Sequence, residues 1–320
     1  MVNRRRRSRT LVAMRIGIVG LGRIAQRVYL PLLCNRADLE IVGLMSRSEQ
    51  TVVRTGQAYR IGGLYTDLGD LLARKPDLVF VHAPTSAHVE IVSACLSAGA
   101  GVFVDKPLAY QLAECEDLVK QAESTGRLLA VGFNRRFAPM HVRARDWIAG
   151  AGGVRLAVME KHRAAAPVQT AREAVFDDLI HVLDTLAWLL GPQTELSPVD
   201  LGVDPTAGFW LAAGSVHAPA AGGSYAMIRS VGADLERLAI HGHGRSAEVV
   251  DLDRAILDGP GGRQLVGFSS WDTIVERRGF AALVQHVIDT VDAPAACEVS
   301  AARVLLAHRF AETIVARAAA

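Results

Sequence analysis

Residues 15–25 read Arg-Ile-Gly-Ile-Val-Gly-Leu-Gly-Arg-Ile-Ala, an apolar run that enters Gly20, Gly22 and Ala25 at spacings of two and three. A helical pattern follows at once and runs through Leu33. Strand, glycine turn and helix in this order are what a pyrophosphate site requires. Gly20 permits the tight turn, Gly22 lets the backbone approach the phosphates, and small Ala25 lets helix and strand pack closely. Further strand-like runs recur at residues 39–45, 77–83, 100–106 and 128–133, separated by helical segments. That alternation predicts an α/β fold with a doubly wound parallel sheet, its ligand lying at the carboxyl ends of the strands.

The strand ends carry the candidate chemistry. After the second strand stands Met45-Ser46-Arg47-Ser48, where a carboxylate would bind the ribose 2′-hydroxyl of NAD. A cation flanked by hydroxyls suits a 2′-phosphate instead, so NADP(H) is favoured and NAD(H) remains possible. The competing reading is a serine helix cap beside an exposed arginine. The run at 77–83 leads into His82-Ala-Pro84-Thr85-Ser-Ala-His88, which places Pro84 and Thr85 on the cofactor groove, with His88 either packing or contacting ligand. The run at 100–106 ends in Asp105-Lys106-Pro107, delivering an ammonium that can polarise a carbonyl or alcohol oxygen.

From about Gly153 strand-like runs succeed one another with little helix, which predicts a largely antiparallel sheet. The exception is residues 177–190, an apolar helix carrying Asp177, His181 and Asp184 at spacings of four and three. Those three share one polar stripe, and an unpaired buried carboxylate is costly, so something polar must face it. A histidine held by a carboxylate is a proton-transfer arrangement at neutral pH. A structural role is equally consistent, with Asp177 or Asp178 favouring the helix start, or with Thr170 and Glu173 forming a capping box upstream. Gly191-Pro192 ends the helix, and a last helix from about Ser300 to Arg317 should pack back on the body.

Composition bounds the function classes. The chain has 320 residues, half of them hydrophobic, enough for two domains. Five arginines lie in residues 1–13, which contain no acid; the remainder holds 30 Lys and Arg against 33 Asp and Glu. The leader reads as a disordered basic tail, and its lack of interleaved aromatics argues against nucleic acid. No apolar stretch reaches a membrane span, and the leader lacks a secretory apolar segment, so the cytoplasm is expected. Cys34, Cys95, Cys115 and Cys297 form no CxxC pair, and His241 and His243 have no third ligand nearby and read as a turn, so no metal site is expected.

The ordered set of Gly20-Leu-Gly-Arg23-Ile24-Ala25, the His82–His88 segment, Val104-Asp105-Lys106-Pro107, Asn134-Arg135-Arg136 and Asp177-x-x-x-His181-x-x-Asp184 resembles the Gfo/Idh/MocA dehydrogenases, most narrowly their MviM-like branch. The resemblance implies an N-terminal Rossmann domain, here 14–133, and a C-terminal α/β domain, 134–320, whose open sheet builds a homodimer or homotetramer. It implies hydride exchange between nicotinamide and a secondary alcohol or ketone of a sugar, cyclitol or related polyhydroxylated molecule. Lys106, Asp177 and His181 take the family's catalytic positions, and Arg135, His162 and Asp184 those that line the substrate pocket. Gly20, Gly22, Arg23, Ile24, Ala25, Ser46, Arg47, Pro84, Thr85 and Lys106 take cofactor positions. The chain departs from the family in Asp105 and in Arg172-Glu-Ala-Val-Phe and Leu179 around the catalytic helix, which leaves Asp177 and Asp178 as alternative partners of His181. Two further functions fit the same fold: a non-catalytic dinucleotide sensor, and an NAD-dependent glycoside-cleaving enzyme.

Overall fold

A computed structural model describes residues 13–165, 168–204 and 208–318. Most of the basic leader (residues 1–12) lies outside the described residues. The first half is six short strands, β1 Met14–Val19, β2 Leu39–Met45, β3 Leu64–Tyr65, β4 Leu78–Val81, β5 Gly101–Val104 and β6 Leu129–Val131. They form one all-parallel sheet in the order β3-β2-β1-β4-β5-β6. The helices α1 Leu30–Cys34, α2 Glu49–Tyr59, α3 Leu68–Leu72, α4 His88–Ser97 and α5 Leu112–Thr125 form its crossovers. Strands β4 and β5 are wholly buried, as Val- and Phe-rich runs covered on both faces must be. Order reverses between β1 and β4, so the carboxyl edge opens there into a crevice.

The second half begins with α6 Pro139–Ala149 and builds an eight-stranded sheet. Its strands are β7 Leu156–His162, β8 Glu195–Asp204, β9 Gly208–Ala218, β10 Ala221–Ile228, β11 Leu235–His241, β12 Ser246–Val250, β13 Arg254–Gly259 and β14 Gly262–Gly267. The order is β14-β13-β12-β11-β7-β10-β9-β8, antiparallel except where β7 and β10 run parallel. His241 closes β11 and bonds Ser246 at 2.9 Å, so only His243 of that pair lies in the turn.

The expected single helix over 177–190 is instead the end of a longer run, 171–190, in three pieces. A capping box at Thr170 and Glu173 starts α7 Ala171–Ala174, a π-turn spans Val175–Leu179, and α8 Ile180–Leu190 follows. Gly191 at φ +94° ends α8, as expected from the sequence. The chain closes with α9 Ile274–Arg277, α10 Phe280–Asp289 and α11 Ala301–Ala318. The last of these packs on α5 and α8, and Val131 donates to the Val299 carbonyl at 2.9 Å, so the carboxyl-terminal segment covers the β6 edge of the first sheet.

The two turn glycines differ in what a side chain would meet. Gly20 lies at φ +85°, and a Cβ there would fall 2.4 Å from the Ala83 nitrogen; at Gly22 it would meet nothing within 4 Å. Gly20→Ala should therefore lower the thermal midpoint by several degrees through strain. Gly22→Ala should leave the midpoint unchanged and weaken dinucleotide binding by about tenfold or more, because its methyl fills the phosphate approach. Melting curves and dinucleotide titrations of both variants check this; equal loss of stability in the two would contradict it.

Candidate active site

Two adjoining cavities follow the carboxyl edge of the first sheet. The larger, about 1030 Å³, is lined by Gly20, Gly22, Arg23 and Ile24 at the glycine turn, by Ser46, Arg47 and Arg54, and by Pro84. Its shape and chemistry fit a dinucleotide. The turn's amide-rich backbone is open at Gly22, and Gln26 braces it through Thr55 at 2.9 Å. Ala25 is buried and lines neither of these two cavities, so it packs helix on strand rather than touching the cleft. Ser48 caps α2 through the Thr51 amide, and Ser46 accepts from the Ser48 amide, while the Arg47 side chain stays exposed on the rim.

The inner cavity, about 350 Å³, lies where the two halves meet and is lined by Thr85, Asp105, Lys106, Asn134, Arg135 and His181, among others. Lys106 reaches from the end of β5 and donates to the Asp177 carbonyl at 2.6 Å. The π-turn provides that acceptor, since widening a helical ring leaves carbonyl groups to bond elsewhere. Lys161, on β7, donates to the next carbonyl, that of Asp178, at 3.1 Å. Burial pulls the Lys106 pKa down, reinforced by Arg135 and opposed by Asp177.

His181 is buried against a cation. Arg135 Nη1 lies 3.2 Å from its Nδ1 and 3.1 Å from its Nε2, and Arg135 is fixed from behind by a two-pronged bond to Glu236 at 2.9 and 2.8 Å. Burial, then Arg135, Lys161, Lys106 and Arg163, drive the His181 pKa well below its ordinary 6.5, so the ring is neutral near pH 7. Burial alone would raise Glu236, but the Arg135 charge and hydrogen bonds hold it far below the usual carboxylate range.

Several sequence expectations are corrected by these contacts. The Asp177 carboxylate does not hold His181: it accepts from Tyr110 at 3.1 Å and Gln169 at 3.4 Å, because the π-turn rotates it away from α8. Nor does Asp178, which is paired with Lys161 at 2.5 Å and Arg163 at 2.8 Å. Asp184 is fully buried in a two-pronged bond to Arg136 at 3.0 and 2.7 Å and does not reach the cavity. His162 accepts from the Ile228 amide at 3.3 Å within the second sheet, and strand alternation turns Lys161 inward in its place. His88, open between packing and contact on sequence, is buried with its ring nitrogens 2.9 Å from the Pro107 and Ala83 carbonyls and borders the inner cavity. Tyr29, Asp105, Gly132 and Phe280 line the inner cavity without having been assigned to it from sequence. Among the described residues no cluster of three or more metal-ligating side chains is present, and no helix is long and apolar enough to cross a membrane.

A parallel dinucleotide sheet, a glycine turn open to phosphate, and a lysine and neutral histidine sharing the inner cavity together define an NAD-binding oxidoreductase. Residues 14–133 match the oxidoreductase family with an NAD-binding Rossmann fold, and residues 139–258 match the YceM-like C-terminal domain. The protein YceM of Salmonella typhimurium is 34% identical over 302 residues, covering 94% of this chain and 97% of its own. Inositol 2-dehydrogenase of the same organism is 29% identical over 185 residues, covering 56% of this chain and 55% of its own. The crystal structure of the dehydrogenase MviM from Clostridium difficile superposes with a TM-score of 0.87 at 28% identity, covering 95% of this chain and 99% of that one. The chain belongs to the Gfo/Idh/MocA oxidoreductase family.

Because Asp184 balances a buried guanidinium, Asp184→Ala should cost about 3–5 kcal/mol of stability, while Asp184→Asn should leave KM for substrate within about twofold. Urea unfolding and steady-state kinetics read the two effects. A large KM change in Asp184→Asn at unchanged stability would return Asp184 to the substrate.

Proposed function

We propose that the protein is an NADP-preferring dehydrogenase or reductase acting on a secondary alcohol or ketone of a polyhydroxylated small molecule. The observation that carries this is the meeting of Lys106, Arg135 and neutral His181 in one cavity beside the dinucleotide cleft. Bound nicotinamide supplies or accepts the hydride. Lys106, anchored on the Asp177 carbonyl, orients the reacting oxygen and stabilises negative charge on it. His181 takes the hydroxyl proton during oxidation and returns it during reduction. Arg135 orients the imidazole, as the sequence suggested for Asp177, but with burial it keeps the ring unprotonated, where a carboxylate would have favoured the charged form. The cavity wall is rich in donors, which suits a ligand with several oxygen acceptors, and inositol 2-dehydrogenase among the relatives points to the same substrate class.

Arg47 and Arg54 on the cleft wall support the NADP preference, as two cations where a 2′-phosphate would lie. The dimer or tetramer implied by the resemblance, and the cytoplasmic location, belong to the same reading; light scattering measures the former.

Lys106→Ala and His181→Ala should each lower turnover by about 10²–10⁴-fold on a panel of sugars, cyclitols and keto-sugars; activity within about threefold of wild type would remove the residue from its role. The sign of the pH dependence follows from the two shifts. The His181 pKa is depressed, so the acidic fall of oxidative kcat/KM should lie below 6.5; the Lys106 pKa is depressed, so the alkaline fall should lie below 10.5. An acidic limb above 6.5 would assign the proton to another group.

Melting with NADPH and NADH at equal concentration tests the cofactor, since a ligand at 100 Kd adds about 2.7 kcal/mol. NADPH should stabilise more, and Arg47→Asp should reverse the order. Greater stabilisation of the wild type by NADH would overturn the preference.

A further inference from the structure

His82 is the residue directly after β4, and its ring borders both cavities, marking the junction of dinucleotide cleft and inner cavity. Its side chain is 0% exposed, and its Nδ1 lies 2.9 Å from Oδ2 of Asp105 at the end of the neighbouring strand β5. A carboxylate only accepts, so Nδ1 carries the hydrogen, and in the tautomer this fixes Nε2 presents a lone pair. That Nε2 is buried and has no hydrogen-bond partner among the described residues. An orphaned buried acceptor costs about 1–3 kcal/mol and calls for an explanation.

The surroundings describe the missing donor. The His82 ring stacks on Tyr29 at 4.1 Å between centroids and 17° between planes, with Phe80 and Phe103 both at 6.2 Å. Phe280 stands edge-on to Tyr29 at 5.9 Å and also lines the inner cavity. An aromatic wall of this kind suits a flat ring bearing one N–H donor at its edge rather than a polyol. Lys106 follows Asp105 directly, so whatever bonds His82 lies beside the group that orients the reacting oxygen.

We propose that His82, held in one tautomer by Asp105, accepts a hydrogen bond from the carboxamide amino group of the nicotinamide and thereby fixes which face of the ring is turned to Lys106 and His181. His82 is a positioning residue, and Asp105 acts through it. This rests on the reading of the cleft as a nicotinamide dinucleotide site and adds to it a rule for recognising the reactive half. Asp105 also draws the Tyr29 hydroxyl, whose pKa is raised by burial first and then by that carboxylate, so one carboxylate aligns both rings of the stack.

The test uses the full chain and two probes, the preferred natural dinucleotide and its acetylpyridine analogue, in which a methyl replaces the carboxamide amino group. Affinities come from calorimetric titration, and melting curves confirm that each variant is folded. Wild type should bind the natural form about tenfold more tightly than the analogue, the worth of one net hydrogen bond. His82→Ala should lose that factor on the natural form and change by less than about twofold on the analogue. Asp105→Ala provides the second variant. With no acceptor left to hold the hydrogen on Nδ1, the ring is free to take the Nε2–H tautomer, and the natural form should weaken by several-fold, and the analogue by less than about twofold, although His82 is still present. Equal losses on both probes, or none on either, in a folded variant overturn the assignment. Wild type that binds both probes alike overturns it as well, whereas wild type that binds neither removes the dinucleotide reading itself, so the two failures are distinguishable.

Discussion

The contact on which the site depends is the bond from Lys106 to the Asp177 carbonyl. It joins the end of β5, on the parallel sheet, to the helix that covers the second sheet, and so sets the inner cavity against the dinucleotide cleft. Neither end of that bond is free to move far. Lys106 sits at the close of a fully buried strand, and the Asp177 carbonyl belongs to a π-turn whose next carbonyl is held by Lys161. A backbone acceptor is well chosen for this purpose. It orients an ammonium without neutralising it, leaving its charge facing the inner cavity.

Charge explains the rest of the arrangement. Arg135, Lys161, Lys106 and Arg163 converge on His181, and each is balanced from the outside by a carboxylate or carbonyl rather than from within the cavity. In the two-pronged Glu236 bond to Arg135 both partners are largely withdrawn from water and each satisfies the other's hydrogen bonds. The consequence is an imidazole kept neutral by burial and surrounding cations, a field that lowers its basicity and, in the proposed reaction, would lower the pKa of the alcohol as well. Asp184 and Arg136 form a second buried pair behind this one and tie the loop after β6 to α8 without touching the cavity.

Much of the first half was legible because its signals are local. The glycine turn, the apolar strand runs and the lysine at a strand end each follow from steric or hydrophobic rules that act within a few residues, and β2 falls on the residues expected of it. The second sheet was legible in class but not in order, since strand neighbours such as β7 and β10 are far apart in sequence. The polar stripe misled for a specific reason. Spacings of four and three share a face only on an unbroken α-helix, and the π-turn at 175–179 adds a residue to one turn and swings Asp177 toward Tyr110. His162 misled similarly: it was picked by position in Lys161-His162-Arg163, whereas alternation along β7 gives the inward place to Lys161.

The sequence by itself determined the fold class, the dinucleotide turn, and the presence of Lys106 and His181 at the ends of particular elements. These depend on backbone freedom, side-chain volume and burial, which are properties of short segments. Only the tertiary structure decided the pairings: Arg135 with His181, Asp184 with Arg136, Lys106 with a carbonyl, His82 with Asp105. In each, a charge or ring could have bonded any of several equivalent groups in the chain. Which one it meets is fixed by how two sheets and an irregular helix close around the buried groups, where every polar group must find its partner or await a ligand.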